Sequence, residues 1–420
     1  MLVKKKVIIW ISIIAVIVIF GYNLIYFNTK EKTSVHIDTG NGAYSTYLSD
    51  VKAFYKVPDN MKFKGWYVDD KKVSLFTRLK ESDYVYPRLE YKDDKKLQNL
   101  GFEFEIIDDD TAAITNSPKD VFTIPSRAYI NNKYYKITTI KSEAICGKTS
   151  SLYIPDSIEV IEDNSIHGVN NIYGAKNLKS LGYNSWLLDY FKLNSNLESA
   201  YIEDIIYCKL DIGQKLELKS KGIIDLSNHE TFSTYLNVDK NNPYLYFDGT
   251  SLYNKDKTFL YLCLNRDASS SLTYNLEGFS SIAFTDVVCK DLTVSFSKEI
   301  SLPINSFCYI NSNFVTINAD IAEIYSAFER CNINNLTING IIKKIVSSFS
   351  FSEYENIKLK SVDEIIFSFN GVPYTCLEFE HITKIEDSFN RDSLCEVRIS
   401  KELDNVECIN SFKYTTISLF

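Results

Sequence analysis

The chain has 420 residues, of which 45% are hydrophobic, and carries a formal net charge of −8. This length allows two or three compact domains or one extended array, and the low counts of 15 Gly and 8 Pro argue against a disordered or collagen-like chain. The acidic balance gives no electrostatic reason to expect a nucleic-acid partner. The 29 Tyr and 26 Phe residues favour strands over helices.

The N-terminus has the pattern of an uncleaved signal anchor. Three lysines precede Val7 to Phe27, which carry no formal charge, and about 20 apolar residues are enough to cross a bilayer as a helix. A cleaved signal peptide is the alternative, but the bulky residues after Phe20 offer no small-residue cleavage site. Because basic flanks stay in the cytoplasm, we predict a cytoplasmic tail at residues 1–6 and a transmembrane helix at residues 7–27. The remainder is then extracellular, on a single-pass cell-membrane protein.

Residues 33–91 are predicted to form a small β-rich module. Val35–Thr39 alternates like a strand and ends at the turn signal Gly40-Asn41-Gly42. Val57-Pro58 follows, and then Phe63-Lys64-Gly65-Trp66-Tyr67. These features resemble the internalin B-repeat, also called the Listeria–Bacteroides repeat, which implies a small β domain of a bacterial surface protein.

The module departs from that repeat at its end. The usual closing Ala-Lys-Trp is replaced by Pro87-Arg88-Leu89-Glu90-Tyr91. A Trp and a Tyr beside a glycine could form a sugar platform, but the large area that such rings bury favours a role for Trp66 and Tyr67 in the core. Residues 92–96 are polar and are predicted to be a linker.

From residue 97 to residue 420 the sequence repeats itself every 20 or 21 residues. One aliphatic marker falls at Ile324, Ile345, Ile365, Ile385 and Val406. In the first four of these units a phenylalanine follows at Phe328, Phe349, Phe369 and Phe389. Apolar-x-apolar triplets keep the same spacing and begin at Leu336, Ile357, Leu377 and Val397. This period is typical of stacked solenoid repeats, in which each unit supplies a short strand and none can bury its apolar face alone.

Two further stretches carry a resemblance. Ser151–Ile166 reads as Leu-x-Ile-Pro-x-Ser-Ile-x-x-Ile followed by Ser-Ile, and Asn242-Pro243-Tyr244 precedes Asp248-Gly249. Both resemble the BspA-like leucine-rich repeat family, which often carries such a hairpin between repeats. The resemblance implies a leucine-rich-repeat solenoid over residues 97–420, with a hairpin insertion at about 239–262, used for adhesion or partner binding. It offers no catalytic residues.

The predicted fold class is therefore mainly β with short helical or 3-10 turns. One transmembrane helix comes first, then the small β-rich domain, then the solenoid. The repeat markers are weak from Asn184 to Phe232, so we expect the array to change curvature or to be interrupted there.

Residues with catalytic or cofactor chemistry form no known pattern in this sequence. The four histidines are scattered, so no metal site is predicted. No nucleophile motif occurs, and no cofactor or enzymatic activity is expected. Plentiful carboxylates leave an extracellular glycan hydrolase as a third hypothesis. The nine cysteines are predicted to be buried thiols, with Cys146 and Cys331 packed at the close of repeat units.

The triplets predict a polar stripe on the concave face of the solenoid. In each triplet the aliphatic side chains point inward and the central side chain points outward. One column is predicted to contain Thr337, Lys358, Glu378 and Arg398, with Asn339, Lys360, Glu380 and Ser400 beside it. The stripe either binds a ligand or forms a ladder of charge pairs that only stabilises the sheet, each pair contributing about 0.2–1 kcal/mol.

The chain ends on what the period predicts to be its last strand, Ile417–Phe420. An apolar strand without a cap tends to pair with other chains, so we expect it to fray, to fold back or to self-associate. The predicted function is a membrane-anchored bacterial surface protein for adhesion or for recognition of an extracellular protein or glycan. A passive structural stalk is the main alternative.

Overall fold

The structure is a computed structural model that describes residues 33–40, 43–74, 77–146, 149–184, 188, 190–221, 235–370, 374–390, 396–399, 406–411 and 416–419. The predicted anchor at residues 7–27 lies outside this range. Among the described residues, no helix is long and apolar enough to span a bilayer. The chain divides into two compact units, Met1–Asn194 and Ser195–Phe420. The division falls in the stretch of weak repeat markers and not at the predicted linker.

The N-terminal module of unit 1 is a five-stranded sheet with one helix. Its elements are β1 Ser34–Asp38, β2 Ala43–Tyr47, α1 Leu48–Phe54, β3 Met61–Val68, β4 Lys71–Lys72 and β5 Tyr84–Tyr91. The strand order is β2-β1-β5-β3-β4, with β1 and β5 parallel and the other pairs antiparallel. Trp66 is buried with Val35, Ile37 and Val85. It therefore belongs to the core, as the sequence indicates, and not to an exposed sugar platform.

The module leads into the first solenoid rungs, which begin with 3-10 helices at Asp94–Lys96 and Gln98–Leu100. The strands are β6 Glu103–Ile106, β7 Thr111–Asn116, β8 Arg127–Ile130, β9 Lys133–Ile140, β10 Ile145–Cys146, β11 Ser151–Ile154, β12 Val160–Ile161, β13 Ile166–His167, β14 Asn171–Gly174, β15 Ser180–Leu181 and β16 Tyr190–Phe191. From β9 onward they form three parallel rows, β9-β12-β15, β10-β13 and β11-β14-β16. Ile140 pairs with Ile161, and Ile161 with Leu181. Residues one period apart in the sequence are therefore register partners in adjacent strands.

The module and the first rungs of unit 1 share one buried cluster. Tyr86 stacks on Tyr173 with ring centroids 4.2 Å apart, and Met61, Leu89 and Phe122 are buried around them. Since a stacked aromatic pair adds about 0.5–1.5 kcal/mol beyond its buried area, this contact holds the module firmly on the rungs.

A buried carboxylate lies at the same contact. Asp38 is 0% exposed and accepts hydrogen bonds from Tyr173 at 2.8 Å, from Asn171 at 3.2 Å and from the Ser151 hydroxyl. The predicted 92–96 linker contributes the 3-10 turn, where Asp94 pairs with Arg127. The module is thus packed against the rungs within unit 1.

Unit 2 begins with short parallel pairs and then a hairpin. The first elements are β17 Ser199–Tyr201, α2 Ile202–Ile205, β18 Leu210–Ile212, β19 Glu217–Lys219 and β20 Leu236–Val238, followed by the antiparallel β21 Leu245–Phe247, β22 Ser251–Asn254 and β23 Phe259–Cys263. Asn242 of the Asn-Pro-Tyr sequence is 1% exposed. Its amide donates to the Gly213 and Leu216 carbonyls at 2.8 and 2.9 Å. This asparagine therefore ties the start of the hairpin to the preceding rung.

The rest of unit 2 is an eleven-stranded parallel sheet, together with β25, which pairs with β23. The strands are β24 Ser271–Leu276, β25 Gly278–Phe279, β26 Asp291–Phe296, β27 Ile300–Leu302, β28 Asn311–Asn318, β29 Ile321–Tyr325, β30 Asn332–Val346, β31 Glu353–Ile366, β32 Tyr374–Glu386, β33 Glu396–Ile399, β34 Glu407–Ile409 and β35 Thr416–Leu419. Strand β30 bends where its register shifts between Ile338 and Ile341. Gly340 is required at this bend, because a Cβ there would lie 1.7 Å from the Ala319 carbonyl oxygen.

Both predicted sets of markers are register partners, with one correction. Leu336, Ile357, Leu377 and Val397 pair in succession, and so do Ile324, Ile345, Ile365 and Ile385. The partner of Ile385 is Cys408 and not Val406. Val406 precedes β34 and packs partly against the core. The prediction of Val406 was wrong because it relied on aliphatic residue type, while a cysteine occupies the pairing position.

The core of this sheet contains a continuous stack of phenylalanine rings. The stack consists of Phe284, Phe307, Phe328, Phe349, Phe369 and Phe389, with neighbouring centroids 4.5–5.1 Å apart. The last four have φ between +57° and +65°, a conformation that costs a residue with a side chain about 1–2 kcal/mol. Burial of the ring offsets this cost.

A row of serines supports the same corner of the rungs. The Ser348 amide donates to the Ser368 hydroxyl at 3.1 Å, and the Ser368 amide to the Ser388 hydroxyl at 3.0 Å. These bonds satisfy buried backbone donors where the chain turns. Phe349, Phe369 and Phe389 each follow such a serine, while Phe328 follows Ala327, whose amide donates to the Ser348 hydroxyl at 3.2 Å.

The final strand, β35, pairs with β33, and Ile417 is the partner of Val397. The side chains of β35 lie outside the described part of the chain. Self-association through this strand stays a prediction.

Candidate functional site

The registers align the backbone positions of the predicted polar stripe. Thr337, Lys358, Glu378 and Arg398 are successive partners across β30, β31, β32 and β33. Lys358 and Lys360 are exposed, and Thr337 and Glu378 are half-buried. The side chains of Glu380 and Arg398 are outside the described part of the structure.

The same column extends upstream of the predicted residues. Thr273 pairs with Thr293, Thr293 with Thr316, and Thr316 with Thr337. Sequence analysis missed these threonines, although each occupies the centre of the same apolar-x-apolar triplet. The 23 positions between Thr293 and Thr316 interrupt the 20- to 21-residue period. A search for the triplet without a fixed spacing would have found them.

Side chains beside this column bond to one another across the strands. Asn339 donates to Asn318 at 3.0 Å, and Asn318 donates to Ser295 at 3.0 Å. Lys358 Nζ lies 3.9 Å from Glu378 Oε2. These lateral pairs favour the interpretation of the stripe as a ladder that stabilises the sheet, since groups already paired are less available to a ligand.

Reversing one charge of this ladder is expected to have a small effect. Lys358→Glu would place two carboxylates on adjacent strands and lower the free energy of unfolding by at most about 1 kcal/mol, because Lys358 is exposed and Glu378 only half-buried. Adding Glu378→Lys should restore the loss. Urea unfolding of the single and double variants measures both values, and a double variant no more stable than the single one would show that the two side chains do not interact.

A second candidate site is a polar cleft of about 530 Å³ in unit 1. It lies between strand β5 of the module and the turns of the first rungs. Five of its lining residues carry the argument that follows: Arg88, Thr123, Tyr153, Asp156 and Ser157.

Four lining residues have buried polar atoms without a partner among the described residues. These atoms are Arg88 Nε, Thr123 Oγ1, Asp156 Oδ1 and Ser157 Oγ. Thr123 is only 2% exposed. Such an atom costs about 1–3 kcal/mol, and native proteins contain few of them. All four atoms lie beneath the surface of this cleft, so a ligand would complete their hydrogen bonds only if the lining side chains moved aside.

Aromatic rings and balanced charges surround these atoms. The Arg88 guanidinium lies 5.5 Å from the ring centroid of Tyr67 and 5.2 Å from that of Tyr153. Burial raises the pKa of Tyr153, so its hydroxyl stays protonated at neutral pH. The cleft also contains both basic and acidic side chains. The cleft therefore offers hydrogen-bond donors and acceptors, while Arg88 lies over both rings and Tyr153 is only 3% exposed.

This chemistry suits a neutral, hydroxyl-rich ligand. The hydroxyls of a sugar both donate and accept hydrogen bonds, so they can pair with the basic, acidic and hydroxyl side chains that line the cleft.

Sequence analysis missed the cleft but contained one signal of it. Arg88 belongs to Pro87–Tyr91, where the module departs from the repeat that it resembles. Thr123 and Ser157 gave no signal, because they meet Arg88 only when the module packs on the rungs.

The structure also corrects the cysteine prediction. Cys331 is buried, but Cys146 and Cys408 are exposed.

No protein-family model matches this chain, and no curated protein matches it. Among solved structures, the crystal structure of the pneumococcal vaccine antigen PcpA is similar at 16% sequence identity. That alignment covers 74% of this chain and 96% of the other, with a TM-score of 0.35. Similarity at this level supports no inference about the function of the chain.

Proposed function

We propose that the protein is a membrane-anchored bacterial surface protein that recognises an extracellular ligand without catalysis. The observation that carries the proposal is the cleft with four buried, unpaired polar atoms. The resemblance to BspA-like leucine-rich repeats and to the internalin B-repeat supports extracellular display. The pattern of residues 7–27 supports an anchor in the membrane.

The proposed ligand is a glycan, alone or on a glycoprotein. Its hydroxyls would bond to Arg88, Asp156 and Ser157, whose side chains supply one cation, one carboxylate and one hydroxyl. A glycan longer than the cleft would extend onto the surface of the rungs.

Thr123→Val tests the buried hydroxyl beneath the cleft. The substitution removes a buried hydroxyl that has no partner among the described residues, and it keeps the side-chain shape. We expect the free energy of unfolding to stay unchanged or to rise by about 1 kcal/mol, and glycan binding to stay unchanged, because Thr123 is only 2% exposed. Urea unfolding and a glycan array, both with full-length protein, measure the two effects. A loss of stability would show that the hydroxyl has a structural partner.

Arg88→Ala tests the same cleft by removing the guanidinium group that is proposed to bond to the glycan. We expect glycan binding to weaken about 10- to 100-fold, as for loss of a hydrogen bond to a charged group. Arg330→Ala is the matched control, because Arg330 also lies over a tyrosine ring, at 5.7 Å from the Tyr309 centroid, but belongs to unit 2. Equal losses in the two variants would contradict the proposed site.

A passive stalk is the second candidate function. The lateral pairs of the polar stripe favour it, because they strengthen the sheet and leave fewer free groups. A full-length protein that binds no glycan and no surface protein would support the stalk.

A further inference from the structure

Three side chains with metal-ligating atoms meet in unit 1, away from the cleft. They are Glu143, Cys146 and His167. Glu143 lies in the turn after β9, Cys146 ends β10 and His167 ends β13. Cys146 and His167 are register partners in adjacent parallel strands, one 21-residue repeat apart. The stacking of rungs thus brings His167 to the Glu143 and Cys146 of the preceding rung.

The distances between these atoms are close to those of a tetrahedral metal site. Glu143 Oε2 lies 3.1 Å from His167 Nε2 and 3.7 Å from Cys146 Sγ, and all the ligand atoms lie within 4.8 Å of one another. Zinc binds sulfur at about 2.3 Å and nitrogen or oxygen at about 2.0–2.2 Å, which places tetrahedral ligands about 3.3–3.6 Å apart. Small side-chain movements would complete this geometry.

The backbone that carries the three residues is held in place. The Glu143 amide donates to the Asn164 carbonyl at 2.8 Å, and the Ile145 amide to the Ser165 carbonyl at 2.9 Å. Both bonds join neighbouring rungs. The ligands therefore project from a fixed scaffold, which reduces the entropy lost when an ion binds.

We propose that Glu143, Cys146 and His167 bind a divalent transition-metal ion of the zinc class. A thiolate and an imidazole select such ions over calcium and magnesium, which prefer oxygen ligands. Three protein ligands leave the fourth tetrahedral position for water. The site is independent of the glycan cleft, and a bound ion would join two rungs of unit 1.

The thiol must lose its proton when the metal binds. The thiolate, and not the thiol, is the ligand of a zinc-class ion. The proton passes to the buffer as the sulfur–metal bond forms, and no oxidation or reduction takes place. Binding therefore weakens as the pH falls.

Titration of the reduced, full-length protein with Co²⁺ tests the site. We expect one tight equivalent, with thiolate-to-cobalt charge-transfer absorption and the visible bands of tetrahedral Co²⁺, displaced by Zn²⁺. Saturating Zn²⁺ should raise the melting temperature by about 5 °C or more if it binds only the folded state.

Single substitutions show which side chains bind the metal ion. Cys146→Ser should abolish the charge-transfer band, and His167→Gln and Glu143→Gln should each weaken binding at least tenfold. Cys408→Ser is the matched control, because Cys408 is also an exposed free thiol and should leave the spectrum unchanged. Circular dichroism verifies that each variant is folded.

Three results would overturn the proposal. They are the absence of a charge-transfer band in the native protein, a band that disappears with Cys408→Ser, and a Cys146→Ser variant that binds Co²⁺ as tightly as the native protein. Loss of glycan binding by the Arg88 variant bears only on the cleft, so the two proposals can fail separately.

Discussion

Phe349→Ala is expected to lower the free energy of unfolding of unit 2 by about 3–5 kcal/mol. The Phe349 ring is 0% exposed and lies between Phe328, 4.9 Å away, and Phe369, 4.5 Å away. Removing it opens a cavity in the middle of the stack. The surrounding strands β30 and β31 are fixed by parallel pairing along most of their length, so they cannot close the cavity easily.

Phe351→Ala is the matched control for this prediction. Phe351 is 74% exposed, and its φ of +55° is close to the +65° of Phe349. Both substitutions therefore put alanine into a left-handed backbone conformation, and only burial differs. We expect the control to change stability by about 0.5 kcal/mol or less. Urea unfolding followed by circular dichroism compares the two, and equal losses would mean that the stack adds nothing to stability.

Asp38→Ala is expected to destabilise unit 1 by about 3 kcal/mol or more. The substitution leaves the buried donors of Ser151, Asn171 and Tyr173 without their acceptor, and each such group costs about 1–3 kcal/mol. The Gly40 amide, which donates to Asp38 at 2.9 Å, loses its partner as well. The effect combines a lost hydrogen-bond network with weaker packing of the module on the rungs.

Limited proteolysis and thermal unfolding of the full-length protein test this second prediction. We expect earlier unfolding of unit 1 and faster cleavage near residues 92–96. Asp59→Ala is the control, because Asp59 is exposed in the turn before β3 and should leave both measurements unchanged. A loss below about 1 kcal/mol for Asp38→Ala would show that water satisfies the freed donors at little cost.

The Ser-Phe pairs show which structural features a local sequence pattern can predict. Their spacing in the sequence predicts one packing residue per rung, and the structure shows a single stack of rings. The triplets behave in the same way, since alternation of side chains decides which residues face the core. Sequence gave no sign of the left-handed backbone at Phe328 and Phe349, which follows from the sharp corner between rungs.

Predictions based on residue type were less accurate than predictions based on the spacing between residues. Val406 has the expected aliphatic character, yet Cys408 occupies the register position. Cys146 has the small apolar side chain expected of a core residue, yet it is exposed beside Glu143 and His167. In both cases the pairing of neighbouring rungs decided the outcome, and residue type alone could not.

The sequence by itself determined the mainly β class, the 20- to 21-residue rung and the alignment of Thr337, Lys358, Glu378 and Arg398. It could do so because each rung packs against a similar rung one period away, so a repeated pattern specifies its own contacts. Only the tertiary structure decided the docking of the module through Asp38, the cleft around Arg88 and the meeting of Cys146 with Glu143 and His167. The cleft and the docking join segments that share no period, and the metal-ligating cluster depends on which side chains remain exposed after the rungs pack.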